Sequence, residues 1–317
     1  MIDAGANGQA RRAVPAWAVQ ALPWLFLLAL AVRFANLTYH SLWYDEVVST
    51  FWAARPAGEI VRVGLALTQD KHPPLYYLLL RGWTALFGPG DFAVRSLGAI
   101  IGSLAVLPAY GLGLRLGGRR TGVFAAGLLA LNPFLVWYSQ EARMFMPAAT
   151  FALAGMVGLW WLMDRGRPAA AGLLVLGLLA ALYSYLYSAF LLPAAGAWLL
   201  LLAWLNRKEE STRRRFLAGI AALAAVGLLF LPLALAAWRV SGAEAVPGRA
   251  FAGMGPALAN LLKVYLLGWP AWDPRLVSTL AAAAGLLALF GCVAPGPAGR
   301  YRWAGAFLVL WLGAIIL

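Results

Sequence analysis

Long apolar stretches, separated by short polar and basic segments, recur along the whole chain. A stretch of about 17 residues or more can cross a hydrocarbon layer of roughly 30 Å as a helix. The apolar run at 168–206 is too long for one crossing helix and sufficient for two, with a turn at the tyrosine-rich segment 183–188. The pattern predicts nine membrane spans, at residues 15–37, 93–114, 121–138, 146–163, 168–206 (two spans), 216–238, 276–294 and from about residue 303 onward.

The apolar segment at 75–87 is the one ambiguous case. As a helix it would be roughly 20 Å long, which is too short to cross upright. Arg81 lies near its centre, where a charge is costly in lipid. We therefore expect this segment to form a helix at the membrane surface.

The distribution of basic residues predicts the direction of the spans. If 75–87 does not cross, one side of the membrane receives a majority of the 25 Lys and Arg residues, all in short connections. That side is expected to be the cytoplasm. The N-terminus is then cytoplasmic, and the opposite face carries three loops, at 38–92 (the first loop), 139–145 (the second loop) and 239–275 (the third loop).

Composition agrees with a membrane protein. The chain is 63% hydrophobic and only 12% charged, which excludes a disordered chain, a coiled coil and almost any soluble enzyme. A single cysteine, Cys292, excludes an intramolecular disulfide framework. The net charge of +13 is explained by the cytoplasmic loops, so no nucleic-acid partner is expected. A lipid-embedded backbone must satisfy its own hydrogen bonds, so we predict an all-α polytopic bundle, one domain over 1–317.

The acidic residues concentrate on the predicted outer face. From residue 121 to residue 294 the predicted spans contain no charged side chain. Ion-coupled transporters usually place ionisable groups near the membrane midplane, so this pattern favours chemistry at the outer surface over transport. Eight of the 12 carboxylates lie outside, namely Asp45, Glu46, Glu59, Asp70, Asp91, Glu141, Glu244 and Asp273.

Three segments of the first two loops contain the candidate chemistry: Ser-Leu-Trp-Tyr-Asp-Glu at 41–46, Asp-Lys-His-Pro-Pro-Leu at 70–75, and Trp-Tyr-Ser-Gln-Glu-Ala-Arg-Met at 137–144. Each has an alternative without chemistry. Asp45 or Glu46 would also suit the N-terminus of a short helix near Val47. A histidine before two prolines is also typical of a loop end. Glu141 and Arg143 would also pair with neighbours or lipid headgroups, and the Trp and Tyr clusters are also typical of an interfacial belt.

Together these segments resemble glycosyltransferase family 39, a group of polytopic GT-C enzymes related to protein O-mannosyltransferases and lipid A aminoarabinose transferases. The resemblance rests on a first span followed by Trp-Tyr-Asp-Glu, then His-Pro-Pro-Leu before a surface helix, then Asn-Pro-Phe-Leu-Val-Trp-Tyr-Ser-Gln-Glu-Ala-Arg-Met at 132–144. It covers roughly residues 15–210 and is strongest at 41–146. It implies a GT-C transmembrane bundle with short juxtamembrane helices in the first loop.

The resemblance implies a role for each motif. Asp45 matches the catalytic aspartate that acts as general base, and Glu46 matches its acidic neighbour, so both are expected to be catalytic. His72 matches a basic position that contacts the donor phosphate in some relatives, with Lys71 and Arg143 as further candidates. Contacts to sugar or acceptor are expected from four more residues, Trp43, Tyr44, Gln140 and Glu141.

The resemblance leaves metal use open. Some relatives have a glutamate beside the basic position and bind a divalent ion there, whereas this chain has Lys71. A divalent metal is therefore possible but not favoured, and no other cofactor is expected.

The sequence therefore predicts an inverting glycosyltransferase of the bacterial cytoplasmic (inner) membrane, with its active site on the outer face. It would move a sugar from a polyprenyl-phosphate donor to an acceptor such as a protein, lipid A or a cell-wall glycan. The alternatives are a lipid-linked sugar transporter or flippase and a non-catalytic membrane scaffold. Because Leu317 lies inside an apolar segment, we expect the natural protein to continue.

Overall fold

A computed structural model of the protein describes residues 16–205 and 210–241. Every described element is helical, which confirms the predicted all-α fold. A single 3-10 turn, Leu186–Phe190, separates α9 from α10. The helices in chain order are α1 (Ala16–Phe34), α2 (Tyr44–Ala53), α3 (Ala57–Ala66), α4 (Leu75–Phe87), α5 (Asp91–Leu104), α6 (Val106–Leu131), α7 (Pro133–Ser139), α8 (Phe145–Arg165), α9 (Pro168–Ser184), α10 (Leu191–Leu205) and α11 (Glu210–Ser241).

The described residues contain an apolar helix at each of the seven spans predicted there, so the chain is a multi-pass membrane protein. Four stretches are long and apolar enough to cross a membrane, at Asp91–Leu131, Phe145–Asp164, Leu186–Trp204 and Arg213–Val240. The helices at Ala21–Phe34 and Pro168–Ser184 are apolar but shorter. The predicted spans at 276–294 and from 303 onward, and the third loop beyond Ser241, lie outside the described residues. The total of nine spans stays a prediction.

The long stretch Asp91–Leu131 turns back on itself at Gly118, as the predicted break between the second and third spans requires. Gly118 has a φ of 84°, a left-handed value that favours glycine. A Cβ atom on Gly113 would lie 2.8 Å from the Cα atom of Gly122, so the two halves of α6 pack with their backbones in contact. Small residues allow this close approach between apolar helices.

The third span ends earlier than predicted. The sequence pattern places it at 121–138, whereas α6 ends at Leu131 and the separate helix α7 follows. Asn132 is extended because the next residue is Pro133, and its side chain accepts a hydrogen bond of 2.9 Å from the backbone N–H of Leu135. The Asn-Pro pair therefore ends one helix and begins the next.

The first loop folds into the three short helices α2, α3 and α4. Helix α4 has the predicted bounds, and it is not among the helices long and apolar enough to cross a membrane. Its Arg81 donates a hydrogen bond of 2.7 Å to the carbonyl of Arg55 at the end of α2, so the charge links two helices of the loop. Gly64 of α3 contacts Pro74, and a Cβ atom there would lie 2.8 Å from the backbone nitrogen of Pro74. This contact fixes the His-Pro-Pro segment.

The main apolar core lies among α8, α9, α10 and α11. Its centre consists of residues with no solvent exposure, such as Leu159, Leu174 and Leu199. Gly158 of α8 lies against the backbone of α9, which brings these two helices into close contact. The second loop leads into the N-terminal end of α8, so this core supports one side of the candidate site described below.

Candidate functional site

One face of α5 holds the first and second loops together. Arg95, Gly98 and Gly102 follow one another at spacings of three and four residues, so they share that face. Arg95 donates to the backbone carbonyls of Leu37 and His40, at 2.9 and 2.6 Å, and so fixes the start of the first loop. A Cβ atom on Gly98 would lie only 2.9 Å from the carbonyl oxygen of Ser139, so the second loop lies directly on this glycine.

Glu46 is fully buried and joins α2, α5 and the second loop. Arg95 donates to both of its carboxylate oxygens, from Nε at 2.8 Å and from Nη2 at 2.7 Å. The backbone N–H of Ala142 adds a third bond of 2.9 Å. The N–H of Trp43 donates to Oε2 at 3.2 Å, so Glu46 also caps the start of α2, the structural alternative that the sequence left open. This geometry favours a positioning role for Glu46 over the catalytic role that the sequence predicts.

Asp45 is the accessible carboxylate of the pair. Its side chain is 37% exposed, and its Oδ2 lies 3.7 Å from Nη2 of Arg143. Nη1 of Arg143 also donates to the backbone carbonyl of Asp45, at 3.2 Å. A carboxylate that solvent can reach, beside a fixed cation, is able to accept a proton from an incoming hydroxyl group.

Arg143 lies at the centre of a cluster of polar side chains that also contains Asp45, Ser49 and His72. It is only 4% exposed. Its Nη1 lies 3.4 Å from Oγ of Ser49, and its Nη2 lies 3.4 Å from Nε2 of His72. Its guanidinium carbon lies 5.4 Å from the ring centre of Phe145. Its Nε atom is buried and has no hydrogen-bond partner among the described residues. An arginine held in this way offers a fixed donor set to an anion such as a phosphate.

His72 belongs to a second hydrogen-bonded group in the same cluster. Its Nδ1 lies 2.6 Å from Oδ1 of Asp70, and the hydroxyl of Tyr77 donates to Oδ2 of Asp70 at 2.5 Å. Burial alone would raise the pKa of Asp70, but the hydrogen bonds from His72 and Tyr77 outweigh burial and lower it. Lys71 is exposed and has no hydrogen bond or ion pair within the described ranges, so the structure does not bring it into the cluster.

The other four predicted contact residues divide into two pairs. Trp43 and Tyr44 are 46% and 79% exposed, beside the accessible Asp45. Gln140 instead uses its amide to cap α1, donating at 2.8 Å to the carbonyl of Ala35. Glu141 accepts a hydrogen bond of 2.6 Å from the indole N–H of Trp137.

Glu141 is partly buried, and this burial affects its ionisation. Burial raises its pKa, and the hydrogen bond from Trp137 opposes that rise only in part. Its Oε2 atom is buried without a hydrogen-bond partner in the part of the chain that the structure describes.

Sequence reasoning missed Arg33, Arg95 and Asp70. Arg33 is fully buried and connects α1 to α6 and α7, donating to Oγ of Ser139 at 3.0 Å and to the carbonyl of Ala130 at 2.9 Å. Both arginines lie inside predicted spans, where a charged residue is rare and usually has a specific partner. The position of each arginine within an apolar span was therefore a signal that the sequence contained. Asp70 had a weaker signal, namely its position two residues before the histidine.

Within the described ranges, no group of three or more His, Cys, Asp or Glu side chains is placed to hold a metal ion. Glu46 is bonded to Arg95, Asp70 is bonded to His72, and Asp45 lies beside Arg143. Metal dependence remains a prediction for experiment.

Comparison with solved structures identifies the class of fold. The chain is similar to the Saccharomyces cerevisiae protein O-mannosyltransferase Pmt1–Pmt2 complex bound to the sugar donor, with a TM-score of 0.53, 18% identity, and 70% of this chain and 33% of that chain covered. It is also similar to the Archaeoglobus fulgidus oligosaccharyltransferase tethered with an acceptor peptide (TM-score 0.53, 16% identity, 95% and 37% covered). The same oligosaccharyltransferase in complex with Zn and sulfate gives a TM-score of 0.54 at 17% identity, with 93% and 39% covered. The fold is therefore of the GT-C type.

A family model then assigns the chain. The model described as dolichyl-phosphate-mannose-protein mannosyltransferase matches residues 71–238, more than half of the chain. The chain belongs to this family of membrane glycosyltransferases. Asp45 and Glu46 precede the matched range. The chain spans only between a third and two fifths of the length of the solved chains above. No curated protein matches it.

Proposed function

We propose that this chain is the catalytic membrane domain of an inverting glycosyltransferase, which moves a sugar from a polyprenyl-phosphate donor to an acceptor hydroxyl group. The observation that supports this most strongly is the position of Asp45. It is the accessible carboxylate of the cluster, and it lies 3.7 Å from the buried guanidinium of Arg143. A base and an anion-binding group side by side are what the transfer of a sugar from a phosphate requires.

The reaction is a single displacement at the anomeric carbon of the sugar. The acceptor oxygen attacks this carbon from the face opposite the phosphate, and its proton passes to the Asp45 carboxylate. The bond between the anomeric carbon and the phosphate oxygen breaks, and its electron pair leaves with the lipid phosphate. Arg143 stabilises the negative charge that develops on this leaving group. One displacement inverts the configuration of the anomeric carbon.

The family description makes polyprenyl-phosphate mannose the first donor to test. The donor phosphate would lie near Arg143 and His72, with its apolar tail between the membrane helices. The acceptor would be a protein hydroxyl, lipid A or a cell-wall glycan. We place the site on the outer face of a bacterial cytoplasmic membrane, with the N-terminus inside, because the basic residues concentrate in the connections on the opposite side.

The test uses the full-length protein in proteoliposomes with a panel of polyprenyl-phosphate sugars. A crude envelope extract supplies acceptors, and the assay follows release of free polyprenyl phosphate. Asp45→Asn should lower the rate by about 10²–10⁴-fold, the usual contribution of a general base. Glu59→Gln is the matched control in the same loop and should leave the rate unchanged. Release that does not depend on Asp45 would refute its role, and no release from any donor would favour a flippase or a scaffold.

A further inference from the structure

A continuous series of polar contacts leads from a buried tyrosine to the accessible carboxylate. Tyr77 donates to Asp70 at 2.5 Å, and Asp70 lies 2.6 Å from Nδ1 of His72. On the other side of the imidazole ring, Nε2 of His72 lies 3.4 Å from Nη2 of Arg143. The same Nη2 atom lies 3.7 Å from Oδ2 of Asp45. Asp70 itself is 8% exposed and His72 is 28% exposed, so exposure increases towards the middle of the series.

The chemistry of the donors and acceptors fixes the direction of these contacts. An ionised carboxylate only accepts hydrogen bonds, so Nδ1 of His72 must carry the hydrogen that faces Asp70. An arginine guanidinium only donates, so Nε2 of His72 must be the acceptor in its contact with Arg143. Asp70 therefore selects the tautomer whose free nitrogen suits Arg143.

We propose that Asp70 is a positioning residue for recognition of the donor phosphate: acting through His72, it holds the Arg143 guanidinium beside Asp45. This inference rests on the proposed function of the cluster. Without the Asp70 carboxylate, the hydrogen of the imidazole is free to occupy Nε2, where it would face a guanidinium N–H. Two donors facing each other repel, so Arg143 would lose one of the groups that fix it.

Asp70 also has a purely structural contact, which the test must separate from this role. Its Oδ1 accepts a hydrogen bond of 3.2 Å from the backbone N–H of His72, a local bond that closes the turn before α4. If Asp70 served only this turn, its loss would disturb the loop whether or not residue 72 were a histidine. If Asp70 acts through the imidazole, its loss should have no consequence once the imidazole is gone.

A double-mutant cycle distinguishes these two roles. The full-length protein in nanodiscs is titrated with undecaprenyl phosphate, and Kd is measured for the wild type, Asp70→Ala, His72→Phe and the double variant. We expect each single variant to weaken binding about tenfold, as for a hydrogen bond to a charged group. The double variant should bind no more weakly than His72→Phe alone. Independent effects that multiply in the double variant, or no effect of Asp70→Ala, would overturn the proposal.

Tyr77→Phe is the matched control, because it removes the other partner of the same carboxylate and leaves the bond to His72 in place. We expect its Kd to stay within about twofold of the wild type, and a loss equal to that of Asp70→Ala would contradict the proposal. Elution as a single peak in size-exclusion chromatography checks that each variant is folded, with His72→Leu replacing His72→Phe if the latter fails. Absence of binding by the wild type would instead count against the proposed function itself.

Discussion

Replacement of Glu46 by glutamine tests whether a buried ion pair assembles the site. The Glu46 side chain has no solvent exposure, and the Arg95 side chain that donates to both of its oxygens is 7% exposed. Glutamine has nearly the same shape but no charge, and only one of its two terminal atoms accepts a hydrogen bond. Arg95 would then be a buried cation without a counterion.

The size of the effect follows from the bonds that the variant loses. Removal of one partner of a buried ion pair costs about 3–5 kcal/mol, because the other charge stays buried. The N–H groups of Trp43 and Ala142, which donate to separate oxygens of Glu46, cannot both keep an acceptor, which costs about 1 kcal/mol more. At about 2–4 °C per kcal/mol, the thermal midpoint should fall by about 10 °C or more.

The assay is the thermal midpoint of the detergent-purified protein, measured as the fraction recovered in the monodisperse peak of a size-exclusion column. Asp45→Asn and Glu59→Gln are the controls, since both change an acid of the same loop without breaking a buried ion pair, and both should stay within about 2 °C of the wild type. The double variant Glu46→Gln/Arg95→Gln should recover part of the loss, because no buried charge remains. A Glu46→Gln variant as stable as these controls would show that the buried Glu46–Arg95 ion pair does not hold this part of the structure together.

Two further variants test the second loop. A methyl group at Gly98 would lie 2.9 Å from the carbonyl oxygen of Ser139, so Gly98→Ala should displace this loop and slow turnover about tenfold or more. Gly58→Ala is the control and should leave turnover unchanged, because a methyl group there would meet no atom within 4 Å. Equal turnover rates for the two variants would contradict this expectation. Burial raises the folded-state pKa of Glu141 above its ordinary value of 4.5. Its ionisation therefore lowers the stability of the folded protein as the pH rises from about 4.5 through the raised folded-state pKa. Glu141→Gln should therefore gain thermal stability relative to the wild type above about pH 4.5, and a difference that is independent of pH would contradict this.

The helices of the fold were largely predictable because hydrophobic patterning determines them. Helix α4 has its predicted bounds, and the turns at Gly118 and at 183–188 lie where charge and tyrosine content place them. The break at Asn132 was not predicted, although the Asn-Pro pair was visible, because a run of apolar residues continues through it. The apolar pattern shows which segments can lie in the membrane. A proline or an N-cap residue can divide such a segment into two helices without changing its apolar pattern.

The site was predictable as a list of residues but not as an arrangement. The sequence brings Asp45, His72 and Arg143 into one proposal, and the structure places them in one cluster. The resemblance assigns the general base to Asp45 and its acidic neighbour to Glu46, but the sequence does not show which of them is buried. Neighbouring residues on a helix point in different directions, and only the packing decides. The structure makes Glu46 the buried partner of Arg95, a charged residue inside a predicted apolar span whose role the sequence analysis did not recognise.

The face of α5 explains how distant segments converge. Arg95 donates hydrogen bonds to backbone carbonyls of the first loop. Gly98, three residues further along α5, lies directly against the backbone of the second loop. The long side chain of Arg95 and the absence of a Cβ atom at Gly98 thus position the two loops on one helix. This combination has no hydrophobic signature, so only the three-dimensional structure reveals it.

In the proposed reaction, Asp45 takes the acceptor proton as a sugar leaves a polyprenyl-phosphate donor. The most direct test is a single-turnover comparison of the wild type and Asp45→Asn, with polyprenyl-phosphate mannose bound beforehand and acceptor extract then added. We expect both proteins to bind the donor with similar affinity, and only the wild type to release polyprenyl phosphate at an appreciable rate. Release by Asp45→Asn at the wild-type rate would contradict it.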